Sequence, residues 1–152
     1  MQIANDLSLS VLPLRPFGER QPGRAEMASN GQGIRVLLVE DEFLICAMMA
    51  DALTRHGFEV HAASNASDAL EHLVCGAPCD LLLTDLNLGP GMDGVVLAQR
   101  VRELRPELPV VYASGSYNRL DQFKAVPGAT FIAKPYNPDR LAMFCATQVP
   151  KH

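Results

Sequence analysis

From Ile34 onward the chain alternates two patterns: short, nearly continuous apolar runs, and longer segments whose apolar residues recur at helical spacing. Runs of this length, bounded by turn residues and rich in Val, Ile and Leu, predict buried parallel strands; the longer segments predict helices. Ile34 to Val39 is the first such run, and it ends in Glu40-Asp41-Glu42. Phe43 to His56 follows with Leu44, Met48, Ala52 and Arg55 near one stripe and Ile45, Met49 and Leu53 beside it; Gly57 is its stop. Glu59 to Ala63 predicts a second strand, and Asn65 or Ser67 caps a helix over Ala66 to Val74 that ends before Gly76 and Pro78. Leu81 to Thr84 is the third strand, closed by Asp85. Asp93 caps a helix from Gly94 to Leu104, with Val96, Leu97, Val101 and Leu104 inward and Pro106 past its end. Pro109 to Ala113 is the fourth strand, Asn118 to Ala125 a weakly patterned helix, and Thr130 to Ala133 the fifth strand. Asn137 or Pro138 opens a last helix reaching about Thr147, with Leu141 and Phe144 inward.

Strand and helix thus alternate five times between residues 34 and 148. Short connections of this kind imply one parallel sheet with helices on both faces. The alternation leaves strand order open; at this size the candidate is a flavodoxin-like doubly wound (βα)5 fold with strand order 2-1-3-4-5. Residues 1–33 differ. Pro13, Pro16 and Pro22 exclude a long helix, the charges cancel, and the composition predicts a poorly ordered arm. Met27 stands as an alternative start just before the first strand. The expected organisation is an arm over 1–33, one domain over 34–148 and a tail over 149–152.

The 152 residues suit one domain, and 48% hydrophobic with 20% charged residues describes a globular core. A net charge of −4 argues against a broad footprint on nucleic acid. No apolar run reaches the ~18 residues of a membrane span, and no basic stretch followed by an apolar one marks a secretory signal, so no membrane insertion and a cytoplasmic location are expected. Of Cys46, Cys75, Cys79 and Cys145, the spacing Cys75-x3-Cys79 could suggest a ligand pair. No second pair and no clustered histidines accompany it in sequence, so the cysteines read as free thiols in or near the core.

The chemistry lies at the strand ends. Glu40, Asp41 and Glu42 follow the first strand, Asp85 the third and Ser114 the fourth, and Lys134 sits just beyond the fifth. Parallel strands put their carboxyl ends on one edge, where sites in open α/β sheets lie. Singly, each residue has an ordinary use, as helix cap, turn serine or surface lysine. Together they would converge. Glu40, Asp41 and Asp85 would repel one another there, and a divalent cation relieves the cost. Oxygen-only ligands favour Mg2+. A carboxylate, Mg2+, a lysine and a hydroxyl suit phosphoryl transfer, with Asp85 as nucleophile forming an acyl phosphate, and Ser114 and Lys134 binding the phosphoryl oxygens. No P-loop, Gly-x-Gly-x-x-Gly or Ser-His-Asp set competes, and Gly89-Pro90-Gly91 reads as turn chemistry.

These residues resemble the receiver domain of two-component response regulators. Val-Leu-Leu-Val-Glu-Asp-Glu (36–42), Leu-Leu-Thr-Asp-Leu-Asn-Leu (82–88) with Met-Asp-Gly (92–94), Pro-Val-Val-Tyr-Ala-Ser-Gly (109–115) and Ala-Lys-Pro-Tyr (133–136) carry the resemblance. It implies that Asp85 is the phosphorylated aspartate, that Asp41 ligates Mg2+ directly, Glu40 mainly through water and Asn87 by its backbone carbonyl, and that Ser114 and Lys134 bind the phosphoryl group. It also implies a usually cis proline at 135 and an aromatic switch residue at Phe131, here without a hydroxyl. The run Leu88-Gly89-Pro90-Gly91-Met92 is one residue longer than the family's usual turn.

The expected function is phosphorelay signalling rather than enzymatic turnover. A sensor histidine kinase or histidine phosphotransfer protein would supply the phosphoryl group, and new charge at Asp85 would shift Ser114 and a surface around the 118–125 segment and the fifth strand. By resemblance, that surface and the last helix serve homodimers and a downstream protein target. With few residues after Thr147, the chain reads as a stand-alone receiver with no direct nucleic-acid contact. Two rivals remain at this point. An aspartyl-phosphate type Mg-dependent phosphatase would want an acid at position 87, where Asn stands. A non-phosphorylated pseudo-receiver would not need the intact set of Glu40, Asp41, Asp85, Ser114 and Lys134.

Overall fold

The computed structural model describes residues 33–115 and 124–150. The predicted N-terminal arm, but for Gly33, and the predicted helix at 118–125, but for its last two residues, lie outside the described residues. Within them are five strands, β1 (Arg35–Val39), β2 (Glu59–Ala63), β3 (Leu81–Asp85), β4 (Val110–Ser114) and β5 (Thr130–Ala133). Four helices accompany them: α1 (Phe43–Arg55), α2 (Ala66–Val74), α3 (Gly94–Leu104) and α4 (Pro138–Gln148). The sheet is parallel throughout, in the order β2-β1-β3-β4-β5 expected of a flavodoxin-like fold.

Burial follows position in that order. The central strands β3 and β4 are buried at every residue, whereas the edge strands β2 and β5 are largely half-exposed or exposed. Alternate strand residues feed two cores. Leu37, Val39, Leu82, Val110 and Tyr112 meet Ala69 and Leu73 of α2 and Leu97, Ala98 and Val101 of α3. Val36, Leu38, Leu81, Leu83 and Val111 meet Met49 and Leu53 of α1 and Leu141, Ala142 and Cys145 of α4 on the other face. Each fully buried Leu or Val contributes about 1.5–3 kcal/mol of hydrophobic stabilisation, so the central strands hold the sheet's register firmly.

The helix starts are set by side-chain caps. Asn65 accepts from the Asp68 N–H, Asp93 from the Val96 N–H, and Asn137 from the Asp139 and Arg140 N–H groups, with Pro138 opening α4. Such caps satisfy amides that the first turn leaves without helical partners. In α1 the sequence offers two adjacent stripes without an inward choice, and in α3 the inward stripe differs from expectation. In α1 the sheet covers Met49, Ala52 and Leu53, while Leu44 is 78% exposed and Met48 46% exposed. In α3 it covers Val95, Leu97, Ala98 and Val101, and Leu104 lies outward. In both helices adjacent stripes are apolar, and the docking angle on the sheet decides which is buried.

Candidate phosphoacceptor site

The site is built from strand ends brought to one edge. Beyond β1, the Glu40 N–H donates to the Ala63 carbonyl at 3.1 Å, extending the ladder and holding the Glu40 carboxylate inside; the residue is 2% exposed. The Glu42 N–H donates to one of its oxygens at 3.1 Å. Asp41, the next residue, faces outward. Asp85 closes β3 and is also nearly buried, and the Asn87 N–H donates to its Oδ1 at 3.2 Å. Lys134 follows β5, and its N–H donates to the Ser114 carbonyl at 2.9 Å, which ties the last two strand ends together. The Lys134–Pro135 peptide is cis, as the resemblance implies.

Glycines set the close approaches. A Cβ at Gly94 would collide with the Asp85 carbonyl oxygen, so the start of α3 packs directly on the backbone that carries the acid. The Gly94 N–H donates to the Leu86 carbonyl at 2.9 Å. The long turn after Asp85 is closed by Gly89 (φ 80) and Gly91 (φ 99), in the left-handed region that glycine adopts without strain. A Cβ at Gly89 would lie 3.2 Å from Asp41 Oδ2, which places the turn against the acidic cluster.

Glu40, Asp41 and Asp85 each present an oxygen within 4.8 Å of the others. One cation answers them: Lys134 Nζ donates to Asp85 Oδ2 at 3.0 Å and to Glu40 Oε1 at 3.3 Å. Burial pushes the Glu40 carboxyl above the usual carboxylate range and Asp85 adds to it, against the Glu42 N–H and the charge of Lys134. For Lys134, burial pulls the ammonium down, but the hydrogen bond and charge of Asp85 and the charge of Glu40 outweigh it, leaving its pKa raised. Among the described residues, three carboxylates stand against one ammonium and leave negative charge uncompensated in a partly dry pocket. All the donors are oxygens, with no histidine or thiolate among them. This set fits a hard divalent cation such as Mg2+.

Glu40, Asp41, Asp85, Ser114 and Lys134 all fall at this edge, whereas Phe131 lies two residues back along β5. Ser114 ends β4 and is 6% exposed. Phe131 of β5 stacks on Tyr112 of β4, ring centroids 5.1 Å apart, and the Tyr112 hydroxyl accepts from the Val126 N–H at 3.3 Å. Sequence reasoning had passed over Tyr136. Its phenol is pushed up by burial and then by the charges of Glu40 and Asp85. With Lys134 and Pro135 it meets Ile45 and Met48 of α1 around a cleft of about 330 Å3, and Phe43 and Leu44 lie exposed on the first turn of α1. The apolar positions in the first turn of α1 were visible in sequence, but their exposure was not.

The residue match agrees with wider comparisons. A family model described as the response regulator receiver domain matches residues 36–145. The transcriptional regulatory protein TcrA of Mycobacterium tuberculosis is 33% identical over 124 residues, 80% of this chain and 47% of its own length. The chain thus spans about half of that curated relative. A response regulator receiver protein from Sinorhizobium medicae superposes with a TM-score of 0.70 at 30% identity, over 76% of this chain and 94% of that one. The receiver domain of NtrX from Brucella abortus does so with a TM-score of 0.65 at 32% identity, over 74% and 96%.

Proposed function

The chain belongs to the response regulator receiver family of two-component systems, and from that premise we propose that Asp85 accepts a phosphoryl group from a phosphohistidine on a sensor histidine kinase or phosphotransfer protein. The observation that supports this most is Lys134 Nζ, 3.0 Å from Asp85 Oδ2, beside an oxygen cluster suited to a divalent cation. The unit that acts runs from residue 34 to 148.

Asp85 presents a carboxylate oxygen to phosphorus. As the O–P bond forms, the donor's N–P bond breaks and its electron pair returns to the imidazole nitrogen. The Asn87 N–H on Oδ1 orients the carboxylate, leaving the other oxygen with Lys134. Lys134 then moves with the new charge and binds a phosphoryl oxygen, and Ser114 supplies a hydroxyl to another. Receiver domains typically use Mg2+; Asp41, Asp85, the Asn87 backbone carbonyl and, through water, Glu40 would hold it, and it supplies neutralisation of phosphoryl charge. Drawing Ser114 inward changes the packing around Phe131, whose ring stacks on Tyr112, and so biases the β5 face. That face is the surface read by a downstream protein or a second copy.

Incubation with Mg2+ and acetyl phosphate tests the reading by intact mass. A gain of one phosphoryl group in the wild type, absent in Asp85→Ala, is expected. No gain, or an equal gain in the variant, overturns it.

A further inference from the structure

The first two turns of α1 carry apolar side chains on a face that nothing among the described residues covers. Phe43 is 80% exposed, Leu44 78% and Met48 46%, and Ala47 stands exposed between them. The stripe through residues 44, 48, 51 and 55 changes character halfway. Leu44 and Met48 are apolar, whereas Asp51 and Arg55 pair with each other at 2.9 Å, as a solvated helix face does. Beside the apolar half lies the cleft of about 330 Å3 lined by Ile45, Met48, Lys134, Pro135 and Tyr136. Single exposed apolar residues need no account, but a contiguous set next to an apolar cleft marks a contact surface. Asp41 and Glu42, exposed just before Phe43, give its rim negative charge.

We propose that this surface is covered by residues 11–17 of the same chain. That run, Val11-Leu12-Pro13-Leu14-Arg15-Pro16-Phe17, is apolar but for Arg15, and the polar, glycine-containing stretch 18–32 separates it from β1. Prolines three residues apart favour a polyproline II strand, which repeats every three residues. Val11, Leu14 and Phe17 then share one side, Pro13 and Pro16 a second, and Leu12 and Arg15 the third. Such a strand enters an apolar, aromatic-lined groove with little entropy left to lose. Its apolar sides meet α1 and the wall made by Pro135 and Tyr136, and Arg15 answers the charge of Asp41 and Glu42. The reach fits. The sixteen residue steps from Phe17 to Gly33 span roughly 20–24 Å as a flexible chain. The first turn of α1 lies just past the far end of β1, about 17 Å along a five-residue strand. A linker whose span matches the gap holds the segment at an effective concentration near millimolar, so a contact too weak to form between separate molecules forms within one. Because α1 follows directly on Glu40-Asp41-Glu42, a partner reaching Asp85 across α1 has to displace the segment. That consequence rests on the reading of Asp85 as acceptor; the docking itself does not.

Hydroxyl-radical oxidation of the full chain, mapped by peptide mass, tests the contact. Met143 on α4 is 49% exposed and is the internal reference for Met48 at 46%. With the segment in place, Met48 should oxidise about five-fold more slowly than Met143, and equally fast in the Leu14→Asp, Phe17→Asp double variant. The ratio should hold over a dilution on the order of a hundred-fold, because the contact lies within one chain. Conversely, Leu44→Asp should release the segment, and chymotrypsin should then cut after Phe17 several-fold faster. Asp85→Asn should protect Met48 like the wild type, so this contact and the phosphoacceptor reading stand or fall separately. Equal oxidation of Met48 and Met143 in the wild type, protection that survives the double variant, protection lost on dilution (a second copy as occupant), or unchanged cleavage at Phe17 in Leu44→Asp overturns the proposal.

Discussion

The two ends of the central strands handle charge in opposite ways. Where β1 begins, Arg35 grips Asp80 with Nε at 2.8 Å and the terminal guanidinium nitrogen at 3.2 Å, and the Arg35 N–H adds a third bond at 2.8 Å. A cation meets an anion there in three hydrogen bonds. Where β1 and β3 end, Lys134 is the one cation among the described residues that faces Glu40 and Asp85, with Asp41 beside them. The first arrangement is complete as it stands and holds the strand starts in register. The second is left in charge surplus, the condition in which a cation and a phosphoryl group gain most from entering. An ion pair that completes itself is structure; one that does not is a site.

That contrast sets the order of the consequences. Lys134→Ala removes the cation that answers the acids at the surplus end, and acetyl phosphate should then modify Asp85 about 10²–10³-fold more slowly, read by intact mass against time. Gly94→Ala should act on stability instead. Its new Cβ meets the Asp85 carbonyl oxygen, which cannot yield without moving β3, and overpacking of this kind costs about 1–3 kcal/mol, read from the urea midpoint. If Gly94→Ala were as stable as the wild type, the close packing of α3 on the site would be wrong.

Smaller effects belong to the self-completed pairs. Asp139 is held below the usual carboxylate range by its hydrogen bonds to Arg55 and His56, which join the end of α1 to the start of α4. A depressed folded pKa means that this contribution is full above the ordinary aspartate value and is lost as pH falls through the folded one. Asp139→Asn should therefore lower the thermal midpoint slightly at pH 7, and the gap should begin to narrow below about pH 4, the ordinary aspartate value, and close at still lower pH. A gap that widened on acidification would reverse the sign and contradict the pairing. Arg35→Ala should change least of all, with little movement in midpoint and an unchanged rate of Asp85 modification, because its partners are exposed and remote from the acids.

Much of this was legible in the chain. Apolar runs ending in Asp85 and Ser114 placed both at strand ends, and parallel pairing made their convergence with Glu40, Asp41 and Lys134 follow from topology alone. Asn65, Asp93 and Asn137 were readable as caps because capping is local. What was not legible depended on contacts between distant segments. Leu44 and Met48 form as good a stripe as Met49, Ala52 and Leu53, and only the tilt of α1 on the sheet exposes the first. Gly94 looked like an ordinary helix start until the Asp85 carbonyl lay against it. The stacking of His61 of β2 on His72 of α2, ring centroids 3.6 Å apart, carries no spacing signal, since a strand and the next helix bring the rings together.

The central claim is that the surplus acid at residue 85, and no other, takes the phosphoryl group. Treating the Mg2+ and acetyl phosphate reaction with borohydride, then mapping peptides by mass, tests it directly, since an aspartyl phosphate is reduced to homoserine. The account predicts homoserine at position 85, and none when the divalent cation is chelated. Homoserine at Asp41 or another acid, or modification at Asp85 that is indifferent to the cation, would contradict it.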